Sequence, residues 1–311
     1  MNKIENRIYT KEPEYNKSFW NAMRGNKLGD EKLQKGRNTD TGTYDMPSFS
    51  QTKYATELNK ISLFRSMGSV ISAPGFGYRI FAKDSNDLAL WVAENESIPI
   101  YEGIDDFTIN TIDSHKLAAF VKLNDEFVHD ITFDLEDYLI KRFAKNFGNA
   151  EDNAFINGNG EEMPTGILSD DIGAKTGVTS SSITYDNIIN LYFSVEPEYR
   201  KNATWLMNDK TALSLRTLKD DAGNYLWRDS DDTLLGKKIA FSEYMPDTVI
   251  NSKPIAFGDF SYYWVVIRNP ISIRSLTEKF ALNNQIGYLA FEFLDGKLIR
   301  PEAIKVIEMI E

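Results

Sequence analysis

Few residues in this sequence have the types and spacing that catalysis requires. Three pairs of carboxylates lie next to each other or one residue apart: Glu94 with Glu96, Asp105 with Asp106, and Asp231 with Asp232. Acid-pair hydrolysis needs two carboxylates at a defined separation on a rigid scaffold. These pairs lie in polar stretches that favour turns and loops, and they share no spacing signature. We interpret them as solvated acids, and an acid-pair hydrolase is the enzyme alternative.

Histidine, cysteine and glycine motifs add no further chemistry. The chain has no cysteine, so disulfides, thiolate metal sites and a cysteine nucleophile are excluded. Its two histidines, His115 and His129, stand apart, and no Gly-x-Ser-x-Gly motif supplies a serine for either. The glycines within 157–160 follow a predicted helix and lack the Lys-Ser/Thr of a phosphate-binding loop. We therefore expect no catalytic residue, no metal site and no cofactor.

Charge and hydropathy exclude two further classes of protein. The 311 residues include 35 basic and 46 acidic side chains, which give a net charge of −11. This balance argues against a protein that coats nucleic acid, because that work requires Lys and Arg to neutralise phosphates. Apolar runs such as 264–267 are far shorter than the about 20 residues of a membrane-spanning helix. The first residues lack a secretory signal pattern, so we expect synthesis in a reducing compartment and no membrane partner.

The pattern of apolar residues predicts an α+β protein. The strongest helix spans 134–156, where apolar residues recur every three or four positions behind the acids Glu136 and Asp137. Further helices are predicted at 52–67, 184–193 and 208–218, and strands at 69–73, 117–123, 204–207, 255–257, 262–267, 271–276, 286–293 and 303–309. The almost wholly apolar strand 262–267 should be central in a sheet. Asp295–Gly296 should form the hairpin turn between the last two strands.

Residues 75–100 alternate apolar and polar side chains, which predicts a long hairpin with a turn at 83–87. Its alternation provides one apolar face, and an isolated two-stranded ribbon is only marginally stable in water. We therefore expect the ribbon to rest on a neighbouring surface. The candidate subunit-contact residues are Trp20, Phe76, Tyr78, Ile80, Lys83, Leu88, Leu90 and Trp91.

Residues 1–50 are mostly polar and predict an extended arm with little core of its own. One apolar patch, formed by Phe19, Trp20 and Met23, predicts a helical turn that docks elsewhere. Two interpretations remain open for this arm. It is either a frayed terminus or a segment that becomes ordered on a neighbouring subunit.

Nine short blocks carry a family resemblance through their order and spacing. They are WVAE at 91–94, KLAA at 116–119, FDLE at 133–136, AED at 150–152, FING at 155–158, PTGIL at 164–168, FGDF at 257–260, DGK at 295–297 and PEA at 301–303. Each block alone is weak evidence. Together, over about 43–309, they resemble the major capsid proteins of tailed bacteriophages, the family with the HK97 fold.

The resemblance implies a division of the chain into the parts of that fold. These are an N-terminal arm at 1–50, a peripheral domain at 51–74 and 106–179 with a spine helix at about 134–156, an extended hairpin (the E-loop) at 75–105, an axial domain at 180–268, and C-terminal strands at 269–311 that return to the peripheral domain.

The function implied by the resemblance is self-assembly, without catalysis, into the icosahedral head shell that encloses phage or prophage DNA. Implied partners are further copies of the chain, in pentamers and hexamers, and a separate scaffolding protein, a portal and a maturation protease. DNA would be enclosed without sequence-specific binding. The location is the virion, with assembly in the host cytoplasm.

Two features of this sequence differ from those of some relatives, and a second kind of protein shell is compatible with the sequence. Many relatives have an amino-terminal scaffolding segment, whereas this sequence begins almost directly at the arm. Some relatives crosslink an E-loop Lys to an Asn, and Lys83 lies near the predicted tip without a matching Asn or assisting Glu. An encapsulin-like compartment is the nearest alternative, which would contain protein in place of DNA.

Overall fold

The computed structural model of the chain describes residues 5–26, 31–39, 41–73, 78–83, 107–130, 132–227 and 232–311. The α-helices are α1 (Pro13–Met23), α2 (Glu31–Gln34), α3 (Ser48–Ile61), α4 (Leu63–Met67), α5 (Asp125–His129), α6 (Leu135–Asn157), α7 (Tyr185–Ser194), α8 (Pro197–Arg200) and α9 (Asp209–Arg216). The strands are β1 (Tyr44–Asp45), β2 (Ser69–Ser72), β3 (Tyr78–Lys83), β4 (Phe107–Ile112), β5 (His115–Asn124), β6 (Lys175–Ser180), β7 (Thr204–Met207), β8 (Thr233–Leu234), β9 (Lys237–Phe241), β10 (Ile255–Gly258), β11 (Tyr263–Leu276), β12 (Gln285–Leu298) and β13 (Ile304–Met309). The predicted α+β class is confirmed.

Two larger sheets and a two-stranded ribbon contain these strands. In the first sheet the order is β1-β11-β12-β5, with β2 parallel to the start of β11. In the second the order is β6-β13-β10-β7-β9-β8, and β3 pairs with β4 apart from both. The predicted central position of 262–267 is confirmed, because β11 lies between β12 on one side and β1 and β2 on the other. No helix in the described part of the chain is long and apolar enough to cross a membrane.

Helix α6 is the long helix that the sequence predicts. Its N-cap is Asp134, whose carboxylate accepts a hydrogen bond from the Asp137 N–H at 3.0 Å. Its buried stripe includes Leu139, Phe143 and Phe147, which pack into one core with α3 and the first sheet. At Gly148 a Cβ would lie 2.9 Å from Ile61 Cγ2, so this glycine lets α3 pack closely against α6.

The prediction that residues 1–50 provide little core is wrong. In α1, Tyr15, Phe19, Ala22 and Met23 are fully buried in the same core as α6. Hydrogen bonds also attach the arm to the first sheet. For example, the Tyr288 hydroxyl of β12 donates to the Met23 carbonyl oxygen at 2.9 Å. Its apolar residues are few, but their spacing of i, i+4, i+7 and i+8 puts them on one helical face. Average composition conceals that spacing.

The predicted hairpin turn at Asp295–Gly296 is also wrong. Both residues lie within β12, opposite Val266 and Val265 of β11. A Cβ on Gly296 would lie 2.5 Å from the Tyr263 hydroxyl oxygen and 2.8 Å from the Phe155 ring. The glycine therefore admits two buried aromatic rings close to the strand, which is a different reason for glycine from a turn.

The predicted strands at 262–267 and 271–276 are one continuous strand, β11, whose register shifts between them. The predicted ribbon has a different partner strand in the described residues: β3 pairs antiparallel with β4, with Lys83 opposite Phe107. The expected turn at 84–87 and return strand at 88–92 lie outside the described residues. Strand β13 joins β10 in the second sheet, and the expected return of 269–311 to the peripheral domain stays a prediction.

We predict that Phe19→Ala destabilises the isolated subunit by about 3–5 kcal/mol, the usual cost of deleting a fully buried phenylalanine ring. Urea unfolding of the purified chain measures this change. Phe49→Ala is the matched control, because the Phe49 side chain is 64% exposed. Equal, small effects of the two changes would mean that α1 does not belong to the subunit's own core.

Candidate assembly surfaces

The predicted contact residues fall into three groups in the structure. Trp20 is half-buried in its own subunit, where its indole N–H donates to Ser50 Oγ at 3.2 Å. Tyr78, Ile80 and Lys83 lie together in β3. The other four lie outside the described residues: Phe76, Leu88, Leu90 and Trp91. Trp20 thus has contacts within its own subunit, and the subunit-contact role of all eight residues stays a prediction.

The acids and histidines considered for catalysis that the structure describes have separate structural partners. Asp232 forms a surface ion pair with Arg216 at 3.1 Å. His129 faces Asp125 of its own helix turn, and both are about half exposed. The remaining acids of the three pairs, Glu94, Glu96, Asp105, Asp106 and Asp231, lie outside the described residues. Among the residues that the structure describes, no three His, Asp or Glu side chains are grouped so that they could hold a metal ion.

The base of the ribbon is held by buried polar groups. Ile112, at the end of β4, is 1% exposed and packs with Ala73, Val266 and Ile299. The guanidinium of Arg268, which is also buried, donates to the carbonyl oxygens of Ile112 and Asp113. These contacts fix the point at which the ribbon leaves the first sheet.

Asp295 completes this base from the neighbouring strand. Its carboxylate accepts the N–H groups of Asp113 and Gly296, each at 2.8 Å, and lies 3.5 Å from His115 Nε2. Burial raises the pKa of Asp295, while the two N–H donors and His115 act in the opposite direction. His115, the first residue of β5, thus contacts a carboxylate that holds the ribbon base.

A buried ionic cluster joins α3, α4, α6 and β12. Arg65 donates to both carboxylate oxygens of Glu151 at 2.7 Å and to Glu292 at 3.0 Å. The Tyr54 hydroxyl donates to the other oxygen of Glu292 at 2.9 Å. Arg65, Glu151 and Glu292 are 8%, 1% and 2% exposed. One guanidinium thus faces two carboxylates in an interior where an unpaired charge is costly.

Proton binding brings this cluster closer to neutrality. Burial raises the pKa of Glu151 to about 7, against the pull of Arg65, and the charges of Glu292 and Asp152 act with burial. Burial also raises the pKa of Asp152, whose carboxylate accepts hydrogen bonds from Ser62 Oγ at 2.7 Å and the Leu63 N–H at 2.9 Å. The Asp152 carboxylate therefore ties the start of α4 to α6.

Large apolar side chains are exposed in helices, turns and a few strands, and the sequence does not identify them as contacts. Those above 40% exposure in the described residues are Ile8, Phe49, Val70, Phe120, Phe127, Ile172, Phe193, Leu213, Tyr225, Val249, Ile250, Leu282 and Ile310. Phe193 shows how the sequence could identify such a residue. Ile188 and Leu191 of α7 are buried on one helical face, and Phe193 is an apolar residue of the same helix that lies off that face. Such residues are candidates for contact with other subunits.

Comparison with known proteins gives one consistent match. A model described as the phage capsid family matches residues 42–309. A probable major capsid protein, gp17 of Mycobacterium phage L5, is 27% identical over 223 residues, and the match covers 67% of this chain and 67% of that protein.

Solved capsids have similar structures. The capsid of a native GTA particle is 28% identical, with a TM-score of 0.65 over 80% of this chain and 90% of that chain. The procapsid of satellite phage P4 with its size determination protein is 9% identical, with a TM-score of 0.58 over 84% and 90%. At that lower identity the likeness concerns the fold alone.

We predict that Arg65→Met lowers the free energy of unfolding by about 3–5 kcal/mol, because it leaves two buried carboxylates without a cation. Denaturant unfolding at neutral pH measures it. Lys60→Met is the control, since the Lys60–Glu57 pair is exposed and such pairs contribute little. Similar losses from both changes would contradict the buried character of the cluster.

We also predict that stability decreases as pH rises from about 5 to 8. The folded-state pKa of Glu151, about 7, lies above its usual 4.5, so the folded state binds the extra proton and loses that stabilisation as pH passes 7. Each unit of pKa difference corresponds to about 1.4 kcal/mol. Urea midpoints across this range should decrease in the wild type and much less in Glu151→Gln.

Glu126→Gln, on an exposed turn of α5, is the control for this pH series and should retain the wild-type slope. An unchanged slope in Glu151→Gln would assign the proton to another group.

Proposed function

The chain belongs to the phage capsid family, and from that premise we propose that it is the major capsid protein of a tailed phage or prophage, whose copies form the head shell. The observation that carries this function is the family match over 42–309, together with the 28% identical capsid chain that superimposes on 80% of this one. The predicted family, the HK97-like fold class and the major capsid function are confirmed.

The shell that we propose is icosahedral, built of pentamers and hexamers, and encloses DNA without sequence-specific binding. Exposed apolar residues in helices and turns, among them Phe49, Phe193 and Leu213, support contacts between copies, since a repeated subunit can cover them on assembly. The predicted arm, E-loop, peripheral and axial boundaries, and the scaffolding, portal and protease partners, remain proposals that follow from the resemblance.

We propose a structural role without catalysis. Within the described residues, the side chains that could do chemistry are engaged in structure: His115 lies beside Asp295 at the ribbon base, and Glu151 and Glu292 surround Arg65. A buried carboxylate with a raised pKa is a frequent sign of an active site. Here its partners are side chains of the fold, and the group is 1% exposed.

Electron microscopy of the purified chain at high protein concentration, and of lysates, tests this function. We expect closed shells of uniform diameter, with nuclease-protected DNA inside when the other head proteins are present. Soluble subunits that never close into shells under either condition would contradict the proposal. Shells filled with a protein cargo would favour the encapsulin-like alternative.

The ribbon provides a sharper prediction. Lys83 and Phe107 are direct partners in β3 and β4, so Asn-Gly can replace residues 84–106 and close a two-residue hairpin. We expect this variant to retain the wild-type unfolding midpoint and to yield at least tenfold fewer particles by sedimentation. Normal particle yield would show that 84–106 is dispensable for contact between subunits.

A further inference from the structure

The solvent side of α6 has an unusual composition for an acidic protein. From 141 to 157, every exposed or half-buried position of this helix carries Lys, Arg, Asn or Ala. The two acids of that stretch, Glu151 and Asp152, are buried. We call this surface the basic–amide face, and its members are Lys141, Arg142, Lys145, Asn146, Asn149 and Asn153.

The hydrogen-bond donors of the basic–amide face follow one line along the helix. Arg142, Lys145, Asn149 and Asn153 are spaced by three or four residues, so they lie on the same side of α6. The line extends about 17 Å at 1.5 Å per residue. The opposite side of α6 is packed into the core, so the backbone that carries these donors is held in place.

Two cations of the face are not neutralised by the protein. In the described residues neither Arg142 nor Lys145 has a carboxylate within salt-bridge distance. Lys141 differs, because it pairs with Asp137 of the first turn at 2.8 Å. The face therefore offers two uncompensated positive charges to a partner.

The amides beside these cations are also available. Within the part of the chain that the structure describes, the side chains of Asn146 and Asn149 form no hydrogen bond. Asn153 accepts one from Asn157 Nδ2 at 3.1 Å through its oxygen, which leaves its own N–H groups to donate. Cations and amide donors thus alternate along one rigid line.

This composition favours phosphate over another protein as the partner. The buried centre of a protein interface is enriched in aromatic residues and methionine and depleted in lysine. The basic–amide face has no apolar side chain larger than alanine. Phosphate oxygens accept hydrogen bonds from Lys, Arg and Asn side chains, which are the residue types present.

The acidic remainder of the chain restricts where a polyanion can bind. The whole subunit carries a net charge of −11, which argues against coating nucleic acid on every side. The loop that follows α6 is an example, since Glu161, Glu162 and Asp171 are all exposed there. One face without exposed acid therefore gives the subunit a defined side for contact with phosphates.

We propose that the basic–amide face binds the phosphate backbone of double-stranded DNA and lies on the inside of the shell. The proposal rests on the proposed function and deepens it, because it names the side of the subunit that contacts the enclosed DNA. Side chains that contact only phosphates read no base edges, so this binding has no sequence preference.

Salt-dependent binding of the unassembled subunit to a short DNA duplex of mixed sequence tests the face. We expect binding at low salt that weakens as salt is added. Arg142→Gln with Lys145→Gln should lower the affinity at least tenfold. It should also reduce the slope of log K against log salt by about 2, because each lost phosphate contact removes about 0.9.

The matched control is Lys175→Gln with Lys238→Gln. Both lysines are exposed, lie in β6 and β9 of the second sheet, and give the same change of net charge. This variant should retain the wild-type affinity and slope, and an equal loss would assign the effect to net charge and overturn the proposal. Should the double face variant not fold, Lys145→Gln alone replaces it and should reduce the slope by about 1.

Closed empty shells test the side on which the face lies. Linear DNA too long to enter should remain unbound by wild-type shells, although the dissociated subunits bind it. Binding to closed shells that disappears in the Arg142→Gln, Lys145→Gln variant would place the face outside and overturn this part of the proposal.

Two further outcomes would contradict the DNA contact. A wild-type subunit that binds no duplex at low salt would remove it. Loss of shells in the double variant with unchanged duplex binding would assign the face to a protein partner. A wild type that binds duplex but never forms shells would instead count against the proposed shell function, so the two failures are distinguishable.

Discussion

A single buried cation, Arg65, fixes how the main elements of this subunit meet. Its guanidinium is shared between Glu151 of α6 and Glu292 of β12, and Tyr54 of α3 holds the far side of Glu292. A charge in the interior is tolerated only when its partners are in place. The long helix α6, the short helix α4 and strand β12 can therefore adopt one relative position without leaving a buried charge unpaired. Such a cluster determines the relative position of these elements more than it adds to the free energy of unfolding. Apolar residues of equal volume in place of a buried ion pair are often as stabilising.

The same principle operates at the ribbon base with different groups. There Arg268 donates to the carbonyl oxygens of Ile112 and Asp113, and Asp295 accepts a hydrogen bond from the Asp113 N–H, where the chain passes from β4 into β5. Ile112 is buried, and an unpaired backbone carbonyl there would be costly. The body of the subunit and the departure point of its ribbon are thus both specified by polar contacts inside an apolar core.

The sequence predicts the local elements well and their partners less well. Helix α6, strand β5 and the central strand follow from periodicity, which depends only on neighbouring residues. The sequence predicts a hairpin turn at Asp295–Gly296 because an Asp-Gly pair favours a turn locally. In the structure Asp295 accepts a hydrogen bond from the Asp113 N–H of another segment, and Gly296 leaves space for the rings of Tyr263 and Phe155. The Arg65 cluster unites residues 54, 65, 151 and 292, and nothing in their spacing marks them as neighbours. The core contribution of residues 1–50 does not follow from their composition, because four buried residues on one face of α1 weigh little in an average over 50 positions.

The net charge of the chain has a consequence for how such subunits associate. Whole subunits of net charge −11 repel one another at long range, and this repulsion is screened over about 10 Å at 0.1 M salt. Contacts between apolar side chains act at short range, where water is excluded and salt has little effect on the attraction. Moderate salt therefore removes more of the repulsion between acidic subunits than of the attraction between their apolar surfaces.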